Sequence, residues 1–513
     1  MDDLTRASVA TVADRRTAGQ VLRARVVSDL ATLNFRDADE RRHFPPTLFG
    51  VLARRGLFGL TAAKRHGGLG LPLTDACAII SATASFDIST ASTLVIHNML
   101  ALPCIEQALH LPSHDTIMAA ATRGDGLCAF AMTEPGAGSA PKRIAASATR
   151  ENGHYRLNGR KIWIGLGEWA RWIVCFARST QAARRGEFMG LLVDPSAPGF
   201  RITHEHRTLG LRGVVQNSLD FSDVLVPESA VLSLGQDGWS LAARRMSQAR
   251  VGVASMGLGA MDRAIQIAVA YAQSRQLSKS RLMENSHVER AIAQMIMRRT
   301  LIRQLLQYVC ENTTEFDADA PYLTSVLKVL SSEWSNRIVD QCLQFLGGRG
   351  YEEEMLVARM YRDARILRIF EGPTEALLAH LGRSFFSPAT RDTVADLFSD
   401  LGAARTHAAL RAAAPAAMSH GAALVHTGWL VSLALVSALA RRAAGADADE
   451  LSLEAATFAE DEFRTALAGE FPRWGRAERD QAKRMVDGFV AETATTIRAP
   501  LFDADHLKIV GFA

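Results

Sequence analysis

The spacing of apolar residues divides the chain into helical and extended segments. Up to about residue 125, apolar residues recur at three- and four-residue steps, as in VLRARVVSDLATL, which is typical of helices buried on one side. Over residues 128–234, runs such as HYRLNGRKIWI and WIVCFAR are rich in β-branched and aromatic residues and predict strands. We expect turns at Asn158-Gly159 and Pro198-Gly199 to bound them. Long helical patterns return over residues 239–386, and their lengths fit a helix bundle.

This pattern predicts an α+β protein that is mainly α. We expect a helical domain over residues 1–125, an antiparallel β domain over 126–235, a helix bundle over 236–386 and an additional helical tail over 387–513. Residues 422–440 in the tail carry no formal charge over about the length that spans a bilayer. His426, Thr427 and several alanines favour a buried or membrane-surface helix over a transmembrane one.

The composition argues against several classes of function, namely nucleic-acid binding, a disulfide framework and a zinc site. With 48% hydrophobic residues in 513, the chain can bury a large core, and a net charge of +4 gives no sign of nucleic-acid binding. The six cysteines form no CxxC pair, which favours reduced thiols over disulfides or a zinc site, so we expect no metal. The N-terminus resembles neither a secretory signal nor a transit peptide. We therefore expect a cytoplasmic location, with membrane association through the tail as the alternative.

Glu371 is the first candidate for chemistry, in the segment RMYRDARILRIFEGPTE. It directly precedes Gly372 and Pro373, where a helical pattern stops. A carboxylate at such a turn can point into a cavity and act as a general base. The alternative is a helix cap or a solvent-facing glutamate, because most glutamates are exposed.

Three further motifs share the chain with this segment: FAMTEPGAGS (residues 130–139), GRKIWIG (159–165) and QFLGGRGY (344–351). Their glycines let a backbone approach a ligand closely, although each motif alone also fits a β-turn, a packed Trp or a glycine helix stop. In this order, with the helix–sheet–helix pattern, the four motifs closely resemble the acyl-CoA dehydrogenase family over residues 25–386. AAKRHGGLGLP and TLGLRGVVQNSLDFSDVLVPESAVL match the family as well.

The resemblance implies FAD as the cofactor and assigns residues to the site. Catalysis would rest on Glu371, and substrate binding on Ser139, Arg250 and Gly372. The residues implied in FAD binding are Phe130, Met132, Thr133, Gly138, Ser139, Trp163, Gly165, Arg275, Gln344, Gly347, Gly348 and Glu375.

The resemblance also implies a reaction and partners. Glu371 would remove the α-proton of a saturated acyl thioester while N5 of FAD takes the β-hydride, and the Glu371 backbone N–H and a ribityl hydroxyl would bond the thioester carbonyl. The acyl group would be carried by coenzyme A or an acyl carrier protein. An electron-transfer flavoprotein or another acceptor would reoxidise the flavin. A homodimer or homotetramer is implied, and the tail resembles that of very-long-chain members, which leaves peripheral membrane contact open.

Several positions depart from the family pattern. Gly165 stands where a Thr or Ser usually bonds flavin N5, and Ser278-Lys279 replaces a usual Phe-Gly. Ala140 replaces an aspartate, and Pro373 replaces a threonine. The alternative base position of some members is Ala249, which leaves Glu371 alone. Two other functions stay open: a flavin monooxygenase of the same fold, and a degenerate FAD-binding member with a role other than dehydrogenation.

Overall fold

The computed structural model describes residues 12–44, 46–181, 187–233, 237–313, 316, 320–413, 421–445 and 448–468, with 481, 483–487 and 489. The N-terminal part is helical, as predicted. Asn34 and Asp87 cap two of the helices by accepting a backbone N–H in the first turn. The helices are α1 (Val12–Leu30), α2 (Phe35–Arg41), α3 (Pro46–Arg54), α4 (Leu73–Ala84), α5 (Ile88–Val95), α6 (Leu102–Glu106) and α7 (His114–Arg123), with a π-helical segment, Ile96–Ala101, joining α5 to α6.

A seven-stranded sheet follows, in the order β1-β4-β2-β3-β7-β6, with β5 paired to β4. Strand β5 is buried at every position, whereas β6 is largely exposed. The strands are β1 (Leu127–Ala131), β2 (Ser147–Glu151), β3 (His154–Gly165), β4 (Ala170–Ser179), β5 (Phe188–Val193), β6 (Phe200–Glu205) and β7 (Gln216–Pro227).

The sheet is mixed, which corrects the expectation of a purely antiparallel one. Strand β4 runs parallel to both β1 and β2, while the other four pairings are antiparallel. The parallel pairs arise because the chain reaches β4 by crossovers through β2 and β3 rather than by a hairpin. Local strand patterns carry no signal for such a crossover.

The turn expected at Asn158-Gly159 was wrong, because both residues lie inside β3. Gly159 has φ +149° at a shift of register, and a Cβ there would meet the Cβ of Ala146 at 2.6 Å, so the glycine marks a β-bulge. The actual hairpin turn is Asn152-Gly153, where both residues have positive φ, as a two-residue primed turn requires. The turn at Pro198-Gly199 is confirmed.

The predicted long helices are confirmed: α8 (Gly238–Ser274), α9 (Ser286–Asn312) and α10 (Ala320–Leu346), followed by the shorter α11 (Leu356–Ala364). Helices α8 and α10 pack closely through small residues. The hydroxyl of Ser331 donates to the carbonyl of Ala254 at 3.0 Å. This pair of helices also supplies Arg250, which bonds the backbone of Glu371, and Lys328, whose charge acts on the Glu371 carboxyl.

The chain divides into two compact units after Glu371. The second unit contains α12 (Thr374–Phe386), α13 (Arg391–Asp400), α14 (Ala404–Ala413), α15 (Gly421–Ala443) and α16 (Glu450–Ala468). Helix α12, which we placed by sequence in the bundle 236–386, therefore forms one unit with the tail helices. Tail residues after 468 lie outside the described ranges, apart from the few named above.

Helix α15 contains the apolar segment 422–440 and packs on α12 through two glycines. The Cα of Gly428 lies against the carbonyl of Leu378, and that of Gly382 lies against the carbonyl of Leu424, so neither position has room for a Cβ. By length and composition, both the helical stretch Ile88–Glu106 and α15 are apolar enough to cross a membrane. However, 94% and 78% of the apolar 18-residue window in each are buried within the protein. Such burial is what core helices show, and it fits the predicted packing of the tail helix.

Candidate active site

Glu371 lies in a strained turn after α11 and a 3₁₀ segment. Its φ is +53°, and the following Gly372 has φ +100°. A non-glycine residue at positive φ is uncommon and costs on the order of 1 kcal/mol or more, so the surrounding structure must hold it there. The strain sits at the residue that the sequence singled out as a base.

Arg250 helps to hold the Glu371 turn in this conformation. On α8, its Nε donates to the backbone carbonyl of Glu371 at 3.2 Å, and its Nη1 donates to the hydroxyl of Ser325 on α10 at 3.2 Å. The guanidinium therefore ties the turn to two long helices. Sequence analysis placed Arg250 near the substrate pocket, and the structure shows it bonded to the backbone of Glu371.

The surroundings of Glu371 suit a base that works near neutral pH. Its side chain is half-buried, and desolvation raises the pKa of the carboxyl from 4.5 to about 7, against the opposing charges of Arg250 and Lys328. Lys328, on α10, is fully buried. Sequence analysis missed it, although a lysine inside the apolar run VLKVL is a signal that could have been noticed.

The motifs FAMTEPGAGS and GRKIWIG are joined by a buried ion pair. Lys161 is fully buried, and its Nζ donates to Glu134 at 2.7 Å and to the carbonyl of Met132 at 3.1 Å. The Glu134 carboxylate also accepts the backbone N–H groups of Ala145 and Ala146 at 2.5 and 3.0 Å. Sequence analysis named neither Lys161 nor Glu134, although both stand inside its motifs.

A backbone hydrogen bond also joins the motifs FAMTEPGAGS and GRKIWIG. The N–H of Ile162 donates to the carbonyl of Thr133 at 3.0 Å. Thr133 and Phe130 are half-buried, Met132 is buried, and the Phe130 ring lies 5.1 Å from that of Phe176. The loop after β1 is thus fixed against β3 at its start, while Ser139 at its far end is exposed.

Three glycines of the predicted cofactor site face open space. At Gly138, Gly347 and Gly348, no described residue beyond the chain neighbours comes within 4 Å of the place that a Cβ would take. Trp163 lies where the register of β3 shifts, has φ +55° and leaves 46% of its surface exposed. Open backbone at these glycines and an exposed indole at Trp163 are each features that a planar ligand with a phosphate tail can use.

Gly165, the departure from the family's hydroxyl residue, is explained by a long-range contact. A Cβ at Gly165 would lie 2.5 Å from Cδ1 of Ile96, in the π-helical segment between α5 and α6. A threonine does not fit unless Ile96 moves. Which residue fits at position 165 in β3 therefore depends on the side chain at position 96, and the glycine in β3 goes together with the isoleucine in the π-helical segment.

Arg275 ends α8 and is exposed, and its N–H donates to the carbonyl of Tyr271 at 2.8 Å. Arg349 of QFLGGRGY donates from Nη1 to the hydroxyl of the same Tyr271 at 3.1 Å. The structure thus brings the third motif to the end of α8. Gln344 is exposed near the end of α10.

Glu375 and Gly372 belong to the second unit. Glu375 is exposed in the first turn of α12, and Gly372 is half-buried in the turn before it. A Cβ at Gly372 would contact the side chain of Leu377 at 2.9 Å, and its φ of +100° also requires glycine.

Comparison with known proteins identifies the family. Profiles of the N-terminal, middle and C-terminal domains of acyl-CoA dehydrogenase match residues 15–109, 129–224 and 236–386, in that order. The chain belongs to the acyl-CoA dehydrogenase family. The resemblance inferred from the four motifs is confirmed, and so is the fold class of helical domains around a β domain with extra C-terminal helices. Members of this family are oxidoreductases that act on CH–CH groups.

This acyl-CoA dehydrogenase family member aligns with most of the length of its curated relatives. An acyl-CoA dehydrogenase of Bacillus subtilis (strain 168) is 27% identical over 363 residues, covering 70% of this chain and 96% of the relative. The human mitochondrial short-chain specific acyl-CoA dehydrogenase is 29% identical over 356 residues, covering 68% of this chain and 85% of the relative.

A solved structure extends the likeness in fold. The acyl-CoA dehydrogenase of Bacillus anthracis, solved with FAD, has a TM-score of 0.74 at 21% identity and covers 89% of this chain and 87% of its own. Residues 1–386 make up about three quarters of the sequence. The match therefore reaches into the tail, 387–513.

Proposed function

We propose that this protein binds FAD and dehydrogenates the α,β carbon–carbon bond of a saturated acyl thioester, with Glu371 as the base. The observation that carries the proposal is the state of Glu371: a half-buried carboxyl with a pKa near 7, in a strained turn bonded by Arg250. A carboxylate of ordinary acidity is a poor base for a carbon acid, and burial is the usual way of strengthening it.

Family membership sets the reaction class, and the residues of this chain set the roles within it. Arg250 fixes the backbone of the base, because its hydrogen bond goes to the Glu371 carbonyl. We assign the backbone N–H of Glu371 to the thioester carbonyl, where it would stabilise negative charge that develops as the proton leaves. The cations Arg250 and Lys328 oppose the effect of burial, so that the carboxyl stays partly ionised at neutral pH.

The residues that we assign to FAD offer it open backbone, an aromatic surface and a positive charge. Gly138, Gly347 and Gly348 offer backbone with open space, and Trp163 offers an exposed indole. The guanidinium of Arg275 would take the pyrophosphate. When bound, FAD supplies the two-electron acceptor for the β-hydride. Because Gly165 has no hydroxyl, flavin N5 would have to be bonded by a backbone N–H.

The remaining partners follow from the family. We propose coenzyme A or an acyl carrier protein as the carrier, an electron-transfer flavoprotein as the oxidant, and a homodimer or homotetramer as the active assembly. A cytoplasmic location goes with these. The burial of α15 supports a packing role for the tail rather than membrane attachment.

An anaerobic titration tests this proposal. Purified full-length protein with FAD is mixed with saturated acyl-CoA thioesters of increasing chain length and with the matching acyl carrier protein thioesters, and the visible flavin band is recorded. We expect bleaching by at least one series, and that series identifies the carrier. If no thioester bleaches the band while a reduced nicotinamide nucleotide does, the flavin monooxygenase becomes the better assignment. A protein that cannot be loaded with FAD contradicts both.

A further inference from the structure

A cluster of two histidines and an aspartate lies near the start of α7, outside the residues assigned to the flavin site. His66 and His114 are each only 6% exposed, whereas the side chain of Asp115 is 89% exposed. Nδ1 of His114 lies 3.1 Å from Oδ1 of Asp115, and Nδ1 of His66 lies 3.5 Å from the same oxygen. The three potential ligand atoms all lie within 4.8 Å of one another.

Hydrogen bonding fixes the tautomer of His114. Its Nε2 lies 3.0 Å from the backbone carbonyl of Glu106, which accepts only, so Nε2 carries a proton. In the neutral ring, Nδ1 is then a bare lone pair that faces a carboxylate oxygen at 3.1 Å. A contact between this nitrogen and a carboxylate oxygen is favourable when a cation lies between them, which is either a proton on Nδ1 or a metal ion. A backbone carbonyl on the far nitrogen is also how proteins orient histidines that bind metals.

We propose that His66, His114 and Asp115 form a zinc-type metal site, with Nδ1, Nδ1 and Oδ1 as ligands and water in the fourth position. Zinc bonds of about 2.0–2.2 Å in a tetrahedral site place neighbouring ligand atoms roughly 3.3–3.5 Å apart. The two measured separations from Asp115, 3.1 and 3.5 Å, lie close to that spacing. The ligand nitrogens of His66 and His114 lie within 4.8 Å of each other and must come closer together when the ion binds. Two imidazoles and one carboxylate form a donor set suited to zinc, and the exposed carboxylate gives the ion a path from solvent.

Arg65 is the group that must move. Its Nε donates to Nε2 of His66 at 3.0 Å, so His66 carries its own proton on Nδ1. Metal binding at Nδ1 requires the proton to shift to Nε2, which Arg65 then opposes. Arg65 is exposed and can swing into solvent. The arginine therefore weakens metal binding without being part of the site.

The site would join two segments of the N-terminal part. His66 lies in a short 3₁₀ segment, Lys64–His66, and His114 begins α7. The hydroxyl of Thr122 on α7 already donates to the carbonyl of His66 at 2.7 Å. A metal here would hold these two segments together. Sequence analysis expected no metal from the cysteine pattern, and the two histidines stand 48 positions apart, outside any local motif.

Zinc titration of the full-length flavoprotein tests the proposal. Tag-free protein, stripped with a chelator and dialysed, competes with a chromophoric chelator for Zn²⁺. We expect one zinc per chain in the wild type. Asp115→Asn should weaken binding at least about tenfold, and since Asp115 is exposed the fold should be unaffected. Asp125→Asn removes another exposed carboxylate, bonded to Arg123 at 2.8 Å, and should bind like the wild type.

Two further readouts separate this site from adventitious binding. Zinc should raise the Tm of the wild type and of Asp125→Asn but not of Asp115→Asn, because only a ligand of the folded state stabilises it. Arg65→Gln should bind more tightly than the wild type. The proposal is overturned if the wild type binds no stoichiometric zinc, or if Asp115→Asn and Asp125→Asn bind equally. Flavin content and thioester reduction are measured separately, so failure here leaves the proposed function untouched.

Discussion

Replacing Glu371 by glutamine should make the protein more stable at pH 8, even though it removes the proposed base. The reason is the raised pKa of this carboxyl. A folded state that holds a proton more tightly than the unfolded state loses stability as pH rises from the ordinary pKa to the raised one. Above that window the wild type keeps a desolvated carboxylate, whereas the neutral amide of the variant carries no such penalty.

The magnitude follows from the two pKa values. The interval from 4.5 to about 7 corresponds to about 2 to 3 kcal/mol, the lower figure allowing for the remaining exposure of the side chain. For a chain of 513 residues, that is a rise in Tm of roughly 2 to 3 °C if unfolding is a single transition. The advantage of the variant should be close to zero at pH 4 and complete above pH 7.

The assay is thermal unfolding of both FAD-loaded proteins from pH 4 to 8, read as the difference in Tm. Burial and the charge of Asp87 also raise the pKa of Asp363 to about 7, but Asp363 is common to both proteins and cancels. Glu352→Gln, which removes an exposed carboxylate, serves as the matched control and should show no such trend. A pH-independent difference, or a less stable variant at pH 8, would refute the raised pKa and with it the argument for a neutral-pH base.

Three further substitutions test the packing around the site and the tail. Lys161→Met leaves a buried carboxylate without its cation, so it should lower the free energy of unfolding, measured by denaturant titration, by about 3–5 kcal/mol. A loss of less than about 1 kcal/mol would contradict the buried ion pair. Gly165→Thr should weaken FAD binding in fluorescence titrations, and Gly165→Thr with Ile96→Ala should restore it; no rescue means that the two positions are independent. Gly428→Ala should destabilise the protein by about 1–3 kcal/mol. Gly421→Ala should not, because none of the described residues outside its own helix turn comes within 4 Å of a Cβ there. Equal Tm values for the two variants would argue against close packing of α15.

Local patterns along the sequence predicted the long helices and the position of Glu371. Helices α8, α9 and α10 follow from apolar spacing, and Glu371 was singled out from the glycine and proline after it. These features are encoded within a few residues of one another. Propensity and periodicity describe that range and little beyond it.

The errors and omissions, by contrast, depend on residues that are far apart in the sequence. Asn158-Gly159 has the composition of a turn, but tertiary pairing with β7 and the approach of Ala146 keep it inside β3. The parallel pairings of β4 depend on crossovers, and the contact that excludes a side chain at Gly165 comes from Ile96, far away in the chain. Such contacts exist only once the fold has formed.

Charged residues inside apolar runs were the other omission. Lys161 and Lys328 both stand in stretches that fit the core pattern, and both are fully buried. A charge survives burial only with partners, and Lys161 has them in Glu134 and the Met132 carbonyl. An interior lysine in an otherwise apolar segment is therefore a signal worth following in sequences of this kind.

The rate of flavin reduction tests the central claim, that Glu371 is the base. Wild type and Glu371→Gln, matched for FAD content, are mixed anaerobically in a stopped-flow instrument with the thioester that bleaches the wild-type flavin. Thioester binding is checked separately in the variant. The account predicts a first-order reduction rate at least about a hundredfold lower in Glu371→Gln. A variant that binds thioester and is reduced at close to the wild-type rate would show that another group takes the proton, or that the reaction is a different one.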